Sequence, residues 1–252
     1  MFKLSNITTA TLRTGLIAAV AVTAAAIGLA GSCHAAGVSN GSFSAGLVGW
    51  STAGNVAVDA ASAYGPPPAG FGAQAIMGTA DTTSFLFGGS TAAAATLEAF
   101  AGLPAGALSG IGGLVGSGIS QKVTTAAGEA IAFSWKFMSN EPQNSPANDR
   151  AFMVLDGTLT TLTTVQTAAF LGSSLSPMLD ETAYASFSTG PLGAGSHTLV
   201  FGVIDIPDSL GASALAVTGV NIAAVPEPGS WALLLGGMLV VGRLARRRQA
   251  LV

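Results

Sequence analysis

Oxygen-bearing side chains are concentrated in one polar segment, SNEPQNSPANDR, at residues Ser139–Arg150. Calcium takes six to eight oxygen ligands, and a loop of Asn, Asp and Glu between two strands supplies several of them. The candidate ligands are Glu141, Asn148 and Asp149, with Asp156 at the end of the next strand. Their spacing matches no dedicated calcium-loop motif, and a turn built from Asn, Pro and Asp explains the same composition. Calcium is the one cofactor for which the sequence offers candidate ligands.

A second carboxylate pair, Asp205 and Asp208, flanks Pro207. A hydrolase that used such a pair as acid and base would need a cleft that holds the two groups at a defined separation. A solvated turn after a strand explains them as well. His197 is the one histidine beyond residue 36, and without a second histidine or a nearby thiol it forms neither a zinc site nor a recognisable triad. We therefore predict no catalytic residues.

Three aromatic residues could stack on sugar rings if their faces were exposed: Trp50, Trp135 and Tyr184. Trp135 alternates with Phe133 and Phe137 and is therefore expected in the core. Trp50 lies in the loop-like LVGWST, where it either contacts a glycan or caps the hydrophobic core. Trp50 is the candidate glycan-contact residue.

Period-two alternation and turn residues, and not long helical periodicity, dominate residues 37–224. In AIAFSWKFMS the large apolar residues alternate with Ala132, Ser134, Lys136 and Met138, which predicts a strand with one heavily buried face. Eight or nine such strands indicate an all-β fold, an antiparallel sandwich of which the jelly roll is one form. The predicted strands span 55–60, 73–79, 118–125, 130–139, 150–157, 158–165, 184–189, 197–206 and 214–223.

One segment, Ser90–Gly118, interrupts the strand pattern. It predicts a short helix near Thr91–Leu103, followed by a Gly-rich connection after Pro104. Such a helix either plugs one end of the sandwich or forms part of a lid or adhesive loop.

Residues 1–36 predict an export signal. Lys3 and Arg13 precede an apolar run at Gly15–Gly31, and cleavage after Ala35 would remove Cys33, the one cysteine. The mature chain would then have no disulfide and no thiolate ligand. A lipoprotein cleavage site at AGSC, residues 30–33, is the alternative to cleavage after Ala35.

Charge is distributed unevenly along the chain. Residues 37–224 hold three basic and eleven acidic residues, a net charge of −8, whereas both ends are basic. Nucleic-acid binding depends on neutralising phosphates with basic side chains. The acidic middle therefore excludes a nucleic-acid partner.

The C-terminal segment VPEPGSWALLLGGMLVVGRLARRR combines a stiff motif, a short apolar run and arginines. A helix over Ser230–Gly242 would be roughly 20 Å long, which is short of a hydrocarbon core of about 30 Å. Pro226 and Pro228 keep the preceding backbone extended. The basic cluster predicts a cytoplasmic membrane stop at Arg243, Arg246, Arg247 and Arg248. A permanent short anchor is the alternative to a temporary one.

This tail resembles the PEP-CTERM sorting signal of Gram-negative bacteria, with Val225, Pro226, Glu227 and Pro228 as its motif. The resemblance implies processing by an exosortase, passage through the inner membrane and delivery to the cell surface or medium, alongside exopolysaccharide. The segment NGSFSAGLVGW (Asn40–Trp50) is similar to the opening of galactose-binding-like jelly rolls. Three further segments, at residues 97–108, 116–141 and 148–162, are similar to one PEP-CTERM ectodomain type.

Together these observations predict three segments: a signal helix at 1–36, a β-sandwich ectodomain at 37–224 and a sorting segment with a transmembrane helix at 225–252. The predicted function is that of a non-enzymatic surface or extracellular-matrix protein whose partner is an exosortase. The alternative is a calcium-assisted carbohydrate-binding module of the exopolysaccharide matrix.

Overall fold

The computed structural model describes residues 37–80, 89–144, 146, 148–172, 174–206, 211–224 and 236–239. Within them lie twelve strands, one α-helix and a short 3₁₀ turn at Ser109–Ile111. The first antiparallel sheet contains β1 (Ser51–Ala53), β4 (Ala92–Ala93), β5 (Val115–Thr125), β7 (Arg150–Leu155), β8 (Thr158–Thr164) and β11 (Gly195–Ile204). The second contains β2 (Asn55–Asp59), β3 (Gln74–Gly78), β6 (Glu129–Ser139), β9 (Asp180–Glu181), β10 (Ala185–Ser188) and β12 (Ser213–Ala224). The α-helix, α1, spans Ala94–Ala101.

The first sheet has the order β1-β5-β11-β7-β8, and β4 continues the β1 edge along β5. Its central pair places Ile119 of β5 opposite Phe201 of β11. Asp156 and Gly157 join β7 to β8 with positive φ angles of 50° and 78°. An Asp-Gly pair favours this two-residue hairpin turn, because its twist matches that of the strands. The edge strand β8 is therefore fixed to the sheet interior by a tight turn.

The second sheet has the order β10-β6-β12-β3-β2, with β9 beside β10 along the edge of β6. The β6–β12 ladder is its longest, and it shifts register between Thr218 and Asn221. Gly219 lies in this bulge with φ +65°, and a Cβ there would come within 2.5 Å of the Phe71 ring. A larger residue would strain the bulge twice, through its φ angle and through its contact.

The two sheets face each other across one core. Ile131, Phe133 and Phe137 of β6 point into it, as their alternation predicts, and Phe133 meets Phe201 edge-to-face with ring centroids 4.6 Å apart. Burying one such ring stabilises the fold by about 1.5–3 kcal/mol. Trp135 differs from the prediction, because it is only partly buried at the border of this core.

Helix α1 lies on the outer face of the first sheet. Leu97 and Ala101 pack there against Phe152 and Val154, side chains of β7 that point away from the central core. The helix ends at Gly102, whose φ of 66° suits a left-handed C-cap. The predicted short helix is confirmed, but it covers a face of the sandwich and does not plug an end.

The outer face of the second sheet is also covered. Met138 belongs to a cluster with Tyr64, Ile76 and Met178, and Lys136 is only 3 % exposed. Alternation in β6 predicted one heavily buried face, and the structure buries the second face as well, because the loops before β3 and before β9 fold over it.

The described chain confirms an antiparallel β-sandwich with one short helix, and each of the nine predicted strands has its counterpart. The jelly-roll topology remains a prediction. The signal helix, the sorting motif and the arginines lie outside the described residues; of the tail, residues 236–239 are described and form one helical turn. No helix among the described residues is long and apolar enough to cross a membrane.

Candidate functional site

Three carboxylates meet at one end of the sandwich. Glu141 follows β6, Asp149 precedes β7 and Asp205 follows β11, and one oxygen from each lies within 4.8 Å of the others. The first two are buried, with 1 % and 0 % of their surface exposed. The ladder explains the meeting, because antiparallel β7 and β11 pair Arg150 with Ile204 and so bring Asp149, before Arg150, next to Asp205, after Ile204.

Asp149 is held by two strand ends besides its own. Its Oδ1 accepts a hydrogen bond from the Ile206 N–H at 2.9 Å, and its Oδ2 accepts one from the Thr79 hydroxyl at 3.3 Å. Burial raises the pKa of Asp149 to about 7, and the charge of Asp205 adds to this rise against the opposing hydrogen bond from Ile206. The cluster therefore either holds a proton near neutral pH or offers oxygen ligands to a hard cation.

The predicted calcium set is only partly assembled. Glu141 and Asp149 lie together, but Asp156 lies at the far end of six-residue β7, roughly 20 Å away at strand rise. The Oδ1 atom of Asn148 accepts a hydrogen bond from the Gln166 N–H at 3.1 Å. Asp156 was therefore a wrong member of the set, and Asp205 takes its place. Asp208 lies outside the described residues.

Trp50 belongs to the core. It is 7 % exposed and packs against Phe43 and Phe201, with ring centroids 5.3 and 6.1 Å away. Its indole N–H donates to the Asn40 carbonyl at 3.3 Å. The proposed glycan contact at Trp50 is corrected accordingly, because neither ring face is open to a ligand, and the residue caps the core.

An open seam runs between the edge strands β8 and β10, where the two sheets part. A cavity of about 340 Å³ lies at one end of this seam, and both Trp135 and Tyr184 line it. Hydroxyl groups and small side chains complete its wall: Thr163, Thr167, Ala169, Thr182, Ala183 and Ala185. We call this the aromatic cavity.

A second cavity of about 480 Å³ opens farther along the same seam, between the start of β8 and the end of β10. Its apolar wall comes from Met153, Leu155, Phe187, Pro191 and Leu192, and its polar wall from Asp156, Thr158, Thr160, Thr189 and Gly190. We call this the threonine cavity. Since β8 and β10 border both cavities, the seam presents one strip of rings and hydroxyls.

A buried relay orients Tyr184. Gln74, which is fully buried, donates from Nε2 to Asp59 Oδ2 at 3.1 Å and to the Gly65 carbonyl at 2.8 Å. Its Oε1 therefore faces Tyr184, whose hydroxyl donates to it. Burial raises the pKa of Tyr184, and the nearby carboxylates of Asp59 and Glu181 raise it further. The hydroxyl stays protonated and points inward.

The Lys136 ammonium supports the same ring from the covered face of the second sheet. It lies 5.5 Å from the Tyr184 centroid and 2.9 Å from Glu181 Oε2. Both charged side chains are 4 % exposed, so the pair is buried. The cation attracts the ring face and helps to hold the wall of the aromatic cavity in place.

Asp156 lies in the polar wall of the threonine cavity and is paired with His197. The Asp156 Oδ2 atom lies 2.7 Å from His197 Nδ1, and its Oδ1 accepts from the Thr198 N–H at 2.8 Å. The hydrogen bond to Asp156 raises the pKa of His197, although partial burial opposes the rise. Burial also opposes ionisation of Asp156, but the bonds from His197 and Thr198 outweigh it and lower the pKa of that carboxyl.

The fold and the seam define a two-sheet β-sandwich with an aromatic and hydroxyl-lined groove at its edge. No protein-family model matches the chain, and no curated protein matches it. The chain is similar to a solved structure of TmCBM61 in complex with β-1,4-galactotriose, at 10 % identity over 75 % of this chain and 97 % of the other, with a TM-score of 0.40.

A second solved structure is similar at a comparable level. It is the enzymatically active domain of bacteriophage CBA120 tailspike protein 4, at 11 % identity over 75 % of this chain and 21 % of the other, with a TM-score of 0.35. At such TM-scores neither likeness bears on function, which has to be argued from the seam.

Proposed function

We propose that this protein is a non-enzymatic carbohydrate-binding β-sandwich whose ligand lies in the seam between β8 and β10. The observation that carries the proposal is the aromatic cavity, whose lining combines Trp135 and Tyr184 with three threonines. A sugar ring has apolar C–H faces, which pack on aromatic rings, and a rim of hydroxyls, which bonds to polar side chains. Ligand pockets combine a mostly apolar lining with a few placed polar groups in this way.

The position of the seam supports a polymeric ligand. Both cavities are open and border the same two edge strands, and β8 is seven residues long, roughly 20 Å at strand rise. An extended glycan could contact the aromatic cavity and the threonine cavity at once and continue beyond either end. This suits binding within a polysaccharide chain better than binding at its terminus.

Blocking the aromatic cavity tests the proposal. Ala185 is exposed and lines the cavity, so Ala185→Trp should fill it without disturbing the core. Ala95, exposed on α1 at the outer face of the other sheet, provides the matched control Ala95→Trp. Glycans that bind the wild type on a glycan array are first identified, and their affinities are then measured by calorimetry. We expect Ala95→Trp to bind them as tightly as the wild type does, and Ala185→Trp to bind them at least tenfold more weakly. Equal binding by all three proteins would overturn the proposal.

The sequence motivates a further proposal about location. We propose that the ectodomain is exported through residues 1–36, held briefly at the inner membrane by its C-terminal segment, and released at the cell surface by an exosortase acting near Val225–Pro228. Exopolysaccharide would then be the natural ligand of the seam. Mass spectrometry of both protein ends, from cells with and without the protease, tests this. A full-length C-terminus in wild-type cells would contradict it.

Calcium assistance is the remaining part of the proposed function. Glu141, Asp149 and Asp205 offer carboxylate oxygens, but at the end of the sandwich and not in the seam. Calcium would therefore act by stabilising the strand ends and not by touching the glycan. We expect millimolar calcium to raise the melting temperature of the wild type and not of Asp149→Asn. An equal response in both proteins would remove calcium from the proposal.

A further inference from the structure

We propose that the seam selects uncharged glycans over acidic ones, and that Asp156 is the residue that sets this selection. The inference rests on the proposed carbohydrate-binding function and specifies the ligand class of the same site. The inference follows from two observations: an acidic side chain lines the seam, and the nearby basic side chains do not.

No basic side chain is among the described residues that line the two cavities. Lys136 lies behind Tyr184, buried in its pair with Glu181. Arg150 is at the opposite end of β7 from Asp156, with its Nη1 3.4 Å from the Thr161 hydroxyl. Proteins bind uronate, sulfate and pyruvate groups mainly through Arg and Lys side chains. An acidic glycan in the seam would contact hydroxyls and aromatic rings but no basic side chain.

Asp156 adds a repulsive element. It is the one charged residue in the lining of the seam so far as the structure describes it, and its side chain is 49 % exposed. Its position is fixed by the hairpin turn, by Thr198 and by His197, so it cannot swing away from a ligand. Like charges within a few ångströms at a partly exposed site weaken binding by about fivefold to tenfold. Specificity often depends on such a group directed against the wrong ligand.

His197 modulates the charge of Asp156. Both of its ring nitrogens face acceptors, Asp156 Oδ2 at 2.7 Å and the Gly193 carbonyl at 3.2 Å, so only the imidazolium satisfies both. The charged ring balances Asp156, whereas the neutral ring leaves it as a net negative charge. Rejection of acidic glycans should therefore strengthen as the pH rises and His197 loses its proton.

The other elements packed around His197 place no second charged partner against its ring in the part of the chain that the structure describes. Val123 lies opposite it on β5, while Lys122 pairs with Thr198 and takes the other face of the sheet. Glu129, the first residue of β6, accepts from the Ala126 N–H at 2.7 Å, and the loop at residues 189–194 has no ionisable side chain. Thr125 also donates to the Gly193 carbonyl, at 2.8 Å, so the loop keeps one anchor in either state of the ring.

The test compares neutral and acidic oligosaccharides of equal length, for example galacto-oligosaccharides and oligogalacturonates, by calorimetry. The variant Asp156→Asn keeps an acceptor for Thr198, and Asn tolerates the positive φ of this turn, so the fold should persist. Asp180→Asn, in β9 and outside both linings, is the control. We expect Asp156→Asn to improve the affinity for the acidic ligand about fivefold to tenfold relative to the affinity for the neutral ligand, whereas Asp180→Asn should keep the wild-type preference.

Raising the pH from 5 to 8 should weaken acidic-glycan binding in the wild type and leave neutral-glycan binding flat. Acidic ligands that bind the wild type as tightly as neutral ones, or an Asp156→Asn protein with unchanged preference, would overturn the selection while leaving glycan binding intact. If neither kind of glycan binds the wild type, the proposed function itself fails and the inference fails with it.

Discussion

The Tyr184 hydroxyl donates a hydrogen bond inward to Oε1 of Gln74, a residue with no exposed surface. The polar end of the ring is thus used beneath the loops that cover the outer face of the second sheet, and Tyr184 also lines the aromatic cavity. Gln74 has no freedom to reverse its amide, because its Nε2 already donates to Asp59 and Gly65. A residue of β3, in the interior of the second sheet, therefore determines how a groove at the sheet edge presents its ring.

Tyr184→Phe should keep the ring and remove its anchor. The buried Gln74 Oε1 would lose its partner, so we expect a loss of about 1–3 kcal/mol in the free energy of unfolding. Glycan affinity should fall only a few-fold, since stacking survives. Urea denaturation and calorimetry measure the two effects. A loss of affinity as large as that of Tyr184→Ala would show that the hydroxyl contacts the glycan directly, contrary to the relay.

We expect substitutions in the Lys136–Glu181 pair to have non-additive effects on the free energy of unfolding. Lys136→Met alone leaves a buried carboxylate without its cation and should cost about 3–5 kcal/mol, and Glu181→Leu should cost a similar amount. The double variant Lys136→Met/Glu181→Leu should lie much closer to the wild type, because no charge is left behind. A double-mutant cycle in urea measures the coupling. Additive losses would contradict an energetically coupled buried pair.

The sequence predicted the strands of the two sheets better than it predicted the loops and the helix that cover their outer faces. Alternation in β6 correctly identified Phe133 and Phe137 as core residues, because a strand beside a packed core must show period two. It could not predict the burial of Lys136, since the covering loops are distant in sequence and Glu181 lies 45 residues away. It also exchanged the roles of Trp50 and Trp135, because periodicity gives the face of a residue and not its distance from the sheet edge.

Asp149 predicts an unusual pH dependence. Its pKa is about 7 in the folded protein and near 3.8 when unfolded, so between these values the folded state binds more protons than the unfolded one. Stability should therefore fall as the pH rises from about 4 to about 7 and level off above that range. Each pKa unit corresponds to about 1.4 kcal/mol.

Asp149→Asn should remove this slope and stabilise the protein at neutral pH, because the buried amide carries no charge. Urea midpoints measured from pH 4 to pH 8 test it against the wild type. Parallel profiles for the two proteins would mean that Asp149 is already ionised throughout this range.

We expect Glu98 to contribute a pH dependence of stability opposite in sign to that of Asp149. Its carboxylate, on α1, accepts from the Gly106, Leu108 and Ser109 N–H groups and so fastens the following loop over the first sheet. The Ser109 N–H bond lowers its pKa most, and the pKa is about 2 although burial opposes the decrease. Its contribution should be complete above about pH 4.5 and be lost as the pH falls toward 2.

Glu98→Gln should lower the urea midpoint at pH 7, because an amide offers one acceptor oxygen where the carboxylate offers two. An orphaned buried N–H costs about 1–3 kcal/mol. Hydrogen exchange at Leu108 and Ser109 should become faster in the variant, while amides of β6 remain protected. Unchanged exchange at both positions would argue against this anchoring role.

The candidate site was only partly predictable. Glu141 and Asp149 were found because they share one polar segment, whereas Asp205 joins them only through the β7–β11 ladder. Asp156 was wrongly assigned to the calcium ligands because it is close to Asp149 in sequence, whereas the whole length of β7 separates the two residues. The seam itself arises from which strands end the two sheets, and local patterns do not specify strand order.

Phe133 and Phe201 meet at 4.6 Å in the middle of the core and hold the two sheets at their separation. The opening between β8 and β10 lies at the edge of the same two sheets, so we expect its width to depend on this spacing. A smaller side chain at position 201 would let the sheets approach and narrow the slot, and a bulkier packing would widen it. We therefore expect the thickness of ligand that the seam accepts to depend on core residues such as Phe201, so that binding breadth can change without any substitution in the groove.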